Sequence, residues 1–490
     1  MSDEKTISLD FLFKPRTVAM FGASERFEYF FTGLKQQNFD HSNLYLINPR
    51  KEEVFGMKCY KSVSDLPVDT IDHLIIAVGR GRIIQSLKDM LTQKKIRTIH
   101  IFTAGLGESD EEGLVIEKEL YDIINGDGVK TRFLGPNCMG VYSVPGHLSY
   151  EEDLPTEPGN ISLVFQSGDL HSQVLRVSHN RYDLKFSKGV SCGNCLDLQI
   201  SDFLHYYNND KDTDLVGVYF EGFSKYHKNE GKTLLNTLKA MKKPVLFING
   251  GSTDRSQKAA LSHTGSIGTN QNIWKGIVKQ TPVINVPTSL DDLVDYFYLF
   301  DKVIKRYKQK NEMVIYPKGK NALLVLWSGG FGIIDTNTLT EIGLKVPYFE
   351  GEVLEKLMKI HPIVLGSVKN PLDLPWISGT KEYVDLAKVA IAEGNIDIVM
   401  IETGASDDYA QSDFFKRHVN NLIQIKDFTE SLNKIFVLIL PNYRGKVREM
   451  YFDMLGKEGF ITFPSVRRAG KAFLALHEYG RKIKRFNTSN

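Results

Sequence analysis

The chain has 490 residues, of which 42% are hydrophobic and 24% are charged, so it is long enough for about three ordinary globular domains. Its 61 basic and 59 acidic residues give a formal net charge of +2, which provides no electrostatic case for binding nucleic acid or an anionic membrane. The N-terminus lacks the apolar core of a signal peptide, and no apolar run approaches membrane-spanning length. We therefore expect a cytoplasmic enzyme or binding protein.

The four cysteines are too few for a disulfide scaffold in a chain of this size. Cys192-Gly193-Asn194-Cys195 has the C-x-x-C spacing of some redox and zinc sites. A zinc site would need a second pair of Cys or His ligands at matching spacing, and the sequence has none. No metal site is therefore predicted.

The first predicted strand, Thr17 to Phe21, runs into Gly22-Ala23-Ser24 and then a helix. A strand, a tight turn and a helix start in this order present backbone N–H groups to an anion, normally a phosphate. The next strand ends in Asn48-Pro49, where a nicotinamide-binding Rossmann unit would carry an Asp or Glu for the ribose hydroxyls. An NAD-dependent oxidoreductase is therefore disfavoured, whereas phosphate binding at the Gly22 turn is retained.

Alternation of strands and helices continues to about residue 150. Further strands are predicted at Asp72 to Val78, Thr98 to Phe102 and Thr131 to Leu134. The last two are followed by Thr103-Ala104-Gly105 and by Gly135-Pro136-Asn137. Small and polar residues at successive strand ends are typical of the ligand-binding edge of a doubly wound sheet.

A second α/β unit follows the polar stretch Glu151 to Asn160. Strand Ile161 to Phe165 leads into Gln166-Ser167-Gly168 and a helix, which is a second candidate anion site. A strand that ends at Phe220 is followed by Glu221-Gly222, and another that ends at Ile248 is followed by Asn249. If these strands are parallel, the residues after them share one edge of the sheet.

The stretch Ser262-His263-Thr264-Gly265 places a histidine between two hydroxyl residues, with a glycine close by. A neutral imidazole is a nucleophile near pH 7, and glycine lets a charged group approach the backbone. If Glu221 orients one ring nitrogen, the other nitrogen is left to attack phosphorus. The pattern predicts a histidine that accepts and hands on a phosphoryl group.

A third α/β unit follows the charged stretch 304–320, which is predicted to be a linker. Its first strand leads into Trp327-Ser328-Gly329-Gly330-Phe331, and its last helix is predicted at Val466 to Arg481. Trp327 and Phe331 are candidates either for the core or for a subunit interface. The predicted fold class is α/β with three successive units.

An ordered set of motifs carries a family resemblance along the whole chain. The set consists of Phe21-Gly22-Ala23-Ser24, Asn48-Pro49, Thr103-Ala104-Gly105, Gly135-Pro136-Asn137, Gln166-Ser167-Gly168, Gly193-Asn194, Tyr219-Phe220-Glu221-Gly222, Ser262-His263-Thr264-Gly265, Gly329-Gly330, Asn370-Pro371-Leu372-Asp373 and Phe463-Pro464-Ser465. It resembles the alpha subunits of NDP-forming acyl-CoA synthetases, such as acetate–CoA ligase, which are relatives of succinyl-CoA synthetase.

The resemblance implies a Rossmann-like CoA-binding domain at 1–150 followed by two flavodoxin-like domains. These would be a succinyl-CoA synthetase-like domain with the phosphohistidine at 151–303 and a third ligase-CoA domain at 321–490, with the linker at 304–320 between them.

The resemblance also implies the reaction. Acyl-CoA and phosphate would give an acyl phosphate, His263 would take the phosphoryl group with Glu221 as its orienting carboxylate, and ADP would then be converted to ATP, reversibly. The implied phosphate-binding residues are Gln166, Ser167, Gly168, Thr264 and Gly265. The implied CoA-binding residues are Gly22, Ala23, Ser24, Asn48, Pro49, Val78, Thr103, Ala104, Gly105, Pro136 and Asn137.

The nucleotide is expected on another chain. No pair of ATP-grasp domains follows the third unit before Asn490. The resemblance therefore implies a separate ATP-grasp beta subunit that binds ADP or ATP with Mg, in an alpha2beta2 heterotetramer. The substrate would be a small carboxylic acid or its acyl-CoA, with no nucleic acid and no membrane as partner.

Several residues depart from the family pattern. Asn249 stands where the family commonly has a lysine, with Lys258 as a candidate replacement, and Asp169 would repel an anion at the Gln166-Ser167-Gly168 site. These changes motivate an alternative, a CoA-binding or acyl-CoA-binding homologue with reduced or no phosphoryl transfer. Bulky residues replace small ones after Ser24, either to pack internally or to contact the CoA adenine. They are Phe27, Tyr29, Phe30 and Phe31.

Overall fold

The computed structural model describes residues 7–251, 253, 255–256, 271–287, 289–362, 366–403, 412–440 and 455–487. The chain divides into two units, Met1–Phe297 and Tyr298–Asn490. The first unit contains two sheets and the second contains one. The predicted α/β class with three successive sheets is confirmed. No helix among the described residues is both long and apolar enough to cross a membrane.

The first sheet has the strand order β3-β4-β2-β1-β5-β6-β7. All its pairings are parallel except the β3–β4 hairpin. The strands are β1 Val18–Phe21, β2 Leu44–Ile47, β3 Glu53–Val54, β4 Met57–Tyr60, β5 Thr70–Ile76, β6 Lys95–Ile101 and β7 Arg132–Leu134. The α-helices are α1 Asp10–Phe13, α2 Glu28–Gln36, α3 Arg80–Gln93 and α4 Glu111–Ile124, and short 3-10 helices span Glu25–Phe27 and His41–Asn43.

The strand order of this sheet reverses between β1 and β5. Chain connections leave those two strands in opposite directions, which opens a crevice at their carboxyl ends. The central strands are almost wholly buried because helices cover both faces of a parallel sheet. The crevice is where a doubly wound sheet binds its ligand.

The second sheet has the order β13-β12-β11-β9-β10-β8, with β8 antiparallel to β10 and the other strands parallel. Its strands are β8 Gly140–Ser143, β9 Pro158–Phe165, β10 Phe186–Ser191, β11 Leu215–Phe220, β12 Val245–Asn249 and β13 Ile284–Asn285. Its helices are α5 Gly168–Tyr182, α6 Ile200–Asn209, α7 Glu230–Ala240 and α8 Gln271–Gln280. Helix α9 Leu290–Gln309 runs from the first unit into the second.

The third sheet, in the second unit, has the order β15-β16-β14-β17-β18-β19. Its strands are β14 Ala322–Leu326, β15 Ser367–Val368, β16 Leu372–Asp373, β17 Ile398–Glu402, β18 Ile435–Ile439 and β19 Thr462–Phe463. The helices are α10 Gly329–Ile342, α11 Gly351–Ile360, α12 Lys381–Glu393, α13 Asp413–Ser431 and α14 Val466–Asn487.

The predicted linker 304–320 is wrong at its start. Residues 304–309 are the end of α9, where Ile304 and Tyr307 are buried in the second unit. The many charged residues of this stretch suggested a linker. Its apolar residues, however, recur every three to four positions among the lysines and arginines, which is the pattern of an amphipathic helix. The other predicted domain boundaries remain predictions.

Three histidines of the first unit are buried and neutral. Burial lowers the pKa of His73 and of His171 to about 3, and that of His100 to about 4. The Thr98 hydroxyl donates its hydrogen to the Asp72 carbonyl, so His73 Nδ1, 3.0 Å from that hydroxyl, must carry a proton and donate it. All three imidazoles are therefore neutral inside the fold.

Acid is therefore expected to destabilise the first unit. The unfolded chain binds protons at these histidines near pH 6.5, whereas the folded chain does not until much lower pH. Stability is thus complete above pH 6.5 and declines below it, by about 2 kcal/mol per histidine at pH 5. Urea denaturation at pH 7.5 and pH 5 should show this loss, and His73→Gln should reduce it. His41→Gln, at an exposed histidine, should retain the loss of the parent protein; equal pH dependence in all three proteins would refute the assignment.

Candidate active site

The turns after the strands of the first sheet are joined to one another at its carboxyl edge. Asn48 Nδ2 donates to the Ala23 carbonyl at 2.8 Å, which fastens the turn after β2 to the turn after β1. The Thr103 hydroxyl donates to the Val78 carbonyl at 2.8 Å, and the Asn137 N–H donates to the Thr103 carbonyl at 3.0 Å. The predicted CoA-binding residues of five separate segments therefore lie at one edge of the sheet, joined in two groups.

Glycine is required at position 22 by both conformation and space. Gly22 has φ of +91°, and a Cβ there would lie 2.4 Å from the Ala77 carbonyl oxygen. The N–H groups of Gly22 and Ala23 both donate to the Ile47 carbonyl, so they are used inside the sheet. At the start of the helix Glu25–Phe27 the Phe27 N–H donates to the Ser24 carbonyl, so phosphate binding at this turn remains a prediction.

The aromatic residues after Ser24 pack within the protein. Phe30 and Phe31 are buried, and the Phe27 ring lies edge-on to Phe102 with ring centroids 5.6 Å apart. Phe102 directly follows β6, so Phe27 braces the helix start against the sheet edge. Internal packing, rather than stacking on adenine, explains these residues.

Gln166 and Glu221 lie side by side at the carboxyl edge of the second sheet. Strands β9 and β11 are parallel with Phe165 opposite Tyr219, so the residues after them leave the sheet together. Gln166 Oε1 accepts the N–H groups of Glu221 and Gly222 at 2.6 and 3.1 Å, and its Nε2 donates to the Gly222 carbonyl at 2.9 Å. The amide of Gln166 is thus occupied in holding the backbone of Glu221, which makes Gln166 a positioning residue.

The carboxylate of Glu221 is buried beside a tyrosine. Glu221 is 6% exposed, and its side chain accepts a hydrogen bond from Tyr219. Burial, and next the negative charge of Glu221, raise the pKa of the Tyr219 phenol. A buried carboxylate on a fixed backbone is suited to orienting an imidazole.

Helix α5 begins at the same edge of the second sheet. Ser167 is its N-cap, with the hydroxyl accepting from the Leu170 N–H at 3.4 Å. Asp169, in the first turn, is exposed. Its carboxylate therefore points to water in part and is stabilised by the helix dipole, so it does not fill a closed anion site.

The C-x-x-C cysteines are buried free thiols. Burial raises the pKa of Cys192 and of Cys138, which keeps both protonated. Cys195 Sγ is 3.9 Å from Gln166 Nε2. Within the described residues no group of His, Cys, Asp and Glu could hold a metal ion.

Asn249 is the last residue of β12 and is 3% exposed. It lies opposite Phe220 in the register of β11, one residue before Glu221. Neither amide atom of Asn249 has a hydrogen-bond partner among the described residues. A buried amide without partners destabilises the fold, so its presence at this edge indicates a polar contact with a group outside the described residues.

His263, Thr264 and Gly265 lie outside the described residues, and so does Lys258. The roles predicted for them remain predictions.

Comparison with known proteins identifies the family of the chain. The family described as "CoA binding domain" matches residues 16–143, and the family described as "Succinyl-CoA ligase like flavodoxin domain" matches residues 158–300. The alpha subunit of an ADP-forming acetate–CoA ligase II from Pyrococcus furiosus is 28% identical over 485 residues, which are 97% of this chain and 98% of that subunit. The chain belongs to the NDP-forming acyl-CoA synthetases.

Two further comparisons agree with this assignment. An ADP-forming acetate–CoA ligase from Methanocaldococcus jannaschii is 31% identical over 75% of this chain and 49% of its own length. The fold matches the dinucleotide-forming acetyl-coenzyme A synthetase 1 of Ca. Korarchaeum cryptofilum with a TM-score of 0.77 at 22% identity, covering 98% of this chain and 99% of that one. A member of this synthetase family is therefore expected to bind its ligands at the carboxyl edges of the two sheets of the first unit.

Three residues of this synthetase for which the sequence predicted no role lie between those edges. Glu108 and Glu117 follow the Thr103-Ala104-Gly105 turn, and Asn194 contacts both. Asn194 is separated from them by 86 and 77 positions, so no local spacing could reveal the contact.

Asn249→Leu is expected to stabilise the first unit by about 1 to 2 kcal/mol, because an apolar side chain replaces two buried polar atoms that have no partner among the described residues. The same change should slow phosphoryl transfer, since the polar contact is lost. Guanidinium denaturation measures the first effect and intact mass the second. Asn194→Leu, which removes an amide with good partners, should instead destabilise the fold; a loss of stability in Asn249→Leu would contradict the inference.

Proposed function

We propose that this chain is the alpha subunit of an acyl-CoA synthetase of the ADP-forming type. It would interconvert acyl-CoA, phosphate and ADP with a carboxylic acid, CoA and ATP. The observation that carries the proposal is the buried Glu221 carboxylate, held by Gln166 at the sheet edge that also bears the start of α5. A protein that only binds CoA has no use for an oriented carboxylate at this place.

The first sheet would hold the CoA. A phosphate of CoA would lie at the Gly22 turn, and the turns at Asn48, Val78, Thr103 and Asn137 line the same edge. When bound, CoA supplies the thiol that gives up or receives the acyl group. The neutral amides and hydroxyls of this edge fit a ligand with both phosphate and amide groups.

The chemistry on the second sheet would pass through His263. A nitrogen of His263 attacks the phosphorus of an acyl phosphate, the P–O bond to the acyl group breaks, and the carboxylate leaves. Glu221 accepts a hydrogen bond from the other ring nitrogen and stabilises the positive charge that develops on the ring. The phosphoryl group then passes to ADP, and each step is reversible.

A second subunit with ATP-grasp domains would supply ADP or ATP and its Mg. In support, the P. furiosus relative that this chain matches over 98% of its length is named as a subunit, whereas the M. jannaschii relative is about twice as long as the matching part. Helix α10 of the second unit exposes Phe331, Ile333 and Ile334, of which Ile333 is 75% exposed. A helix that is apolar on several faces is normally covered. We propose an alpha2beta2 assembly, in the cytoplasm.

The substrate would be a small carboxylic acid. Relatives are named for acetate. Asn249 in place of a lysine, and the exposed Asp169, make the phosphate region of this chain less cationic. These departures favour slower phosphoryl transfer over a loss of the reaction, because the Gln166 and Glu221 arrangement is intact.

Intact mass spectrometry of the purified chain tests this function. After incubation with phosphate and an acyl-CoA, the parent protein should gain one acid-labile phosphoryl group, and His263→Ala should gain none. Glu221→Gln should phosphorylate at least tenfold more slowly, because a neutral amide stabilises the developing charge less. A panel of acyl-CoAs ranks the substrates.

A second experiment, with a cognate ATP-grasp subunit and either ATP or GTP, tests phosphorylation of the chain in the reverse direction. If CoA binds but no phosphoryl group appears in either direction, the chain is a CoA-binding homologue and the proposed activity is wrong.

A further inference from the structure

We propose that Asn194 is a positioning residue that holds the segment Thr103–Glu108, here called the CoA loop, in the shape that binds CoA. The inference rests on the proposed function for the identity of the ligand. The fixed shape of the loop rests on contacts in the first unit alone. No motif of the family resemblance gives Asn194 this role.

The side chain of Asn194 lies between two carboxylates. It is 4% exposed, and its Nδ2 donates to Glu108 Oε2 at 2.8 Å and to Glu117 Oε2 at 3.2 Å. An amide NH2 group has two hydrogens, so each carboxylate receives one. Asn194 therefore brings together a residue of the CoA loop and a residue of α4.

The two carboxylates in turn hold the backbone of the CoA loop. Glu108 Oε1 accepts the Gly105 N–H at 2.7 Å and the Leu106 N–H at 3.2 Å, and Glu117 Oε2 accepts the Gly107 N–H at 3.2 Å. Three successive N–H groups of the loop thus depend on acceptors that Asn194 aligns. Their directions set which groups of the loop face the ligand.

Gly107 is the residue that lets Glu117 approach so closely. A Cβ at this position would lie 2.3 to 2.5 Å from the three atoms of the Glu117 carboxylate group. Glu117 is 3% exposed, so it has no room to move aside. The loop and the carboxylate are therefore built to fit one another.

The charges explain why an amide occupies position 194. Two carboxylates that approach one donor repel each other, and Lys225, 2.8 Å from Glu117 Oε1, partly compensates for their charge. A neutral NH2 group donates to both without adding a third negative charge. An aspartate of the same size would replace the donor by a further acceptor and force the group apart.

Asn194 also ties the CoA loop to the second sheet. It lies in the loop after β10, and its backbone N–H donates to the Pro136 carbonyl at 3.0 Å. The next residue, Cys195, contacts the Gln166 amide that holds Glu221. A single residue thus links the predicted CoA surface to the loop beside the predicted phosphoryl-transfer site.

Asn194→Asp and Asn194→Ala, made in the full chain, test the proposal. Hydrogen exchange at the amides of Gly105, Leu106 and Gly107 should accelerate at least tenfold in both variants. Calorimetry should show that both variants bind CoA at least tenfold more weakly than the parent protein, and that Asn194→Asp binds it more weakly than Asn194→Ala. The rate at which an acyl phosphate phosphorylates the protein should fall by a smaller factor than the CoA affinity, because that step needs no CoA.

The matched control is Asn160→Asp. Asn160 Nδ2 donates to Asp214 Oδ2 at 3.2 Å, at the opposite end of β9, so the change also sets a carboxylate against a carboxylate. It should leave loop exchange and CoA affinity as in the parent protein. In the double variant Asn194→Asp with Glu108→Gln, the amide at position 108 can donate to the carboxylate at position 194. This variant should recover part of the CoA affinity.

The outcomes separate the two claims. Unchanged loop exchange and CoA affinity in both Asn194 variants would overturn the positioning role, as would an equal loss of affinity in Asn160→Asp. If Asn194→Asp does not fold, Asn194→Ala decides on the same readouts. If the parent protein binds no CoA, the proposed function fails, while faster loop exchange in the Asn194 variants would still support their role in holding the loop.

Discussion

The side-chain amide of Gln166 is the contact on which the arrangement of the second sheet's edge depends. It accepts two successive N–H groups, of Glu221 and Gly222, and donates to the carbonyl of the latter. A residue after β9 is thereby fixed to residues after β11, although 55 positions separate them. Without it the backbone of Glu221 would have buried donors with no acceptor, and its carboxylate would have no fixed direction.

A primary amide also joins strand ends at two other places in the first unit. Asn48 fastens the turn after β2 to the turn after β1, and Asn194 joins the CoA loop to the loop after β10. A primary amide carries donors and an acceptor without a net charge, so it can be buried at lower cost than an ion. The ligand-facing edges are thus built from neutral groups, and the buried charges near them, Glu117 and Glu221, each have hydrogen-bond donors.

The sequence predicted the elements that have a one-dimensional signal. Apolar runs marked β1, β5, β9 and β11, and the glycine turns after them marked the binding edges. Strand β10, Phe186–Ser191, was missed because it contains serines and Lys188, whose ammonium is buried by an ion pair with Asp210. Strand β8 is four residues long and antiparallel, so neither length nor alternation revealed it.

For the candidate site, the sequence predicted which residues share an edge but not which of their polar groups are in contact. Gln166, Ser167 and Glu221 follow buried strands, and that position alone predicted that they share an edge. The sequence did not predict which polar groups meet: phosphate binding was predicted for Gln166, but not that its amide holds the backbone of Glu221. The contacts of Asn194 depend on how the loops of two sheets pack, which periodicity does not encode.

The most direct test of this account is the single-turnover rate at which an acyl phosphate phosphorylates Gln166→Leu, measured beside its affinity for CoA. If the Gln166 amide positions Glu221 for the histidine, the rate should fall at least thirtyfold while the CoA dissociation constant stays within threefold of the parent value. An unchanged phosphorylation rate in a folded Gln166→Leu protein that still binds CoA would contradict the account.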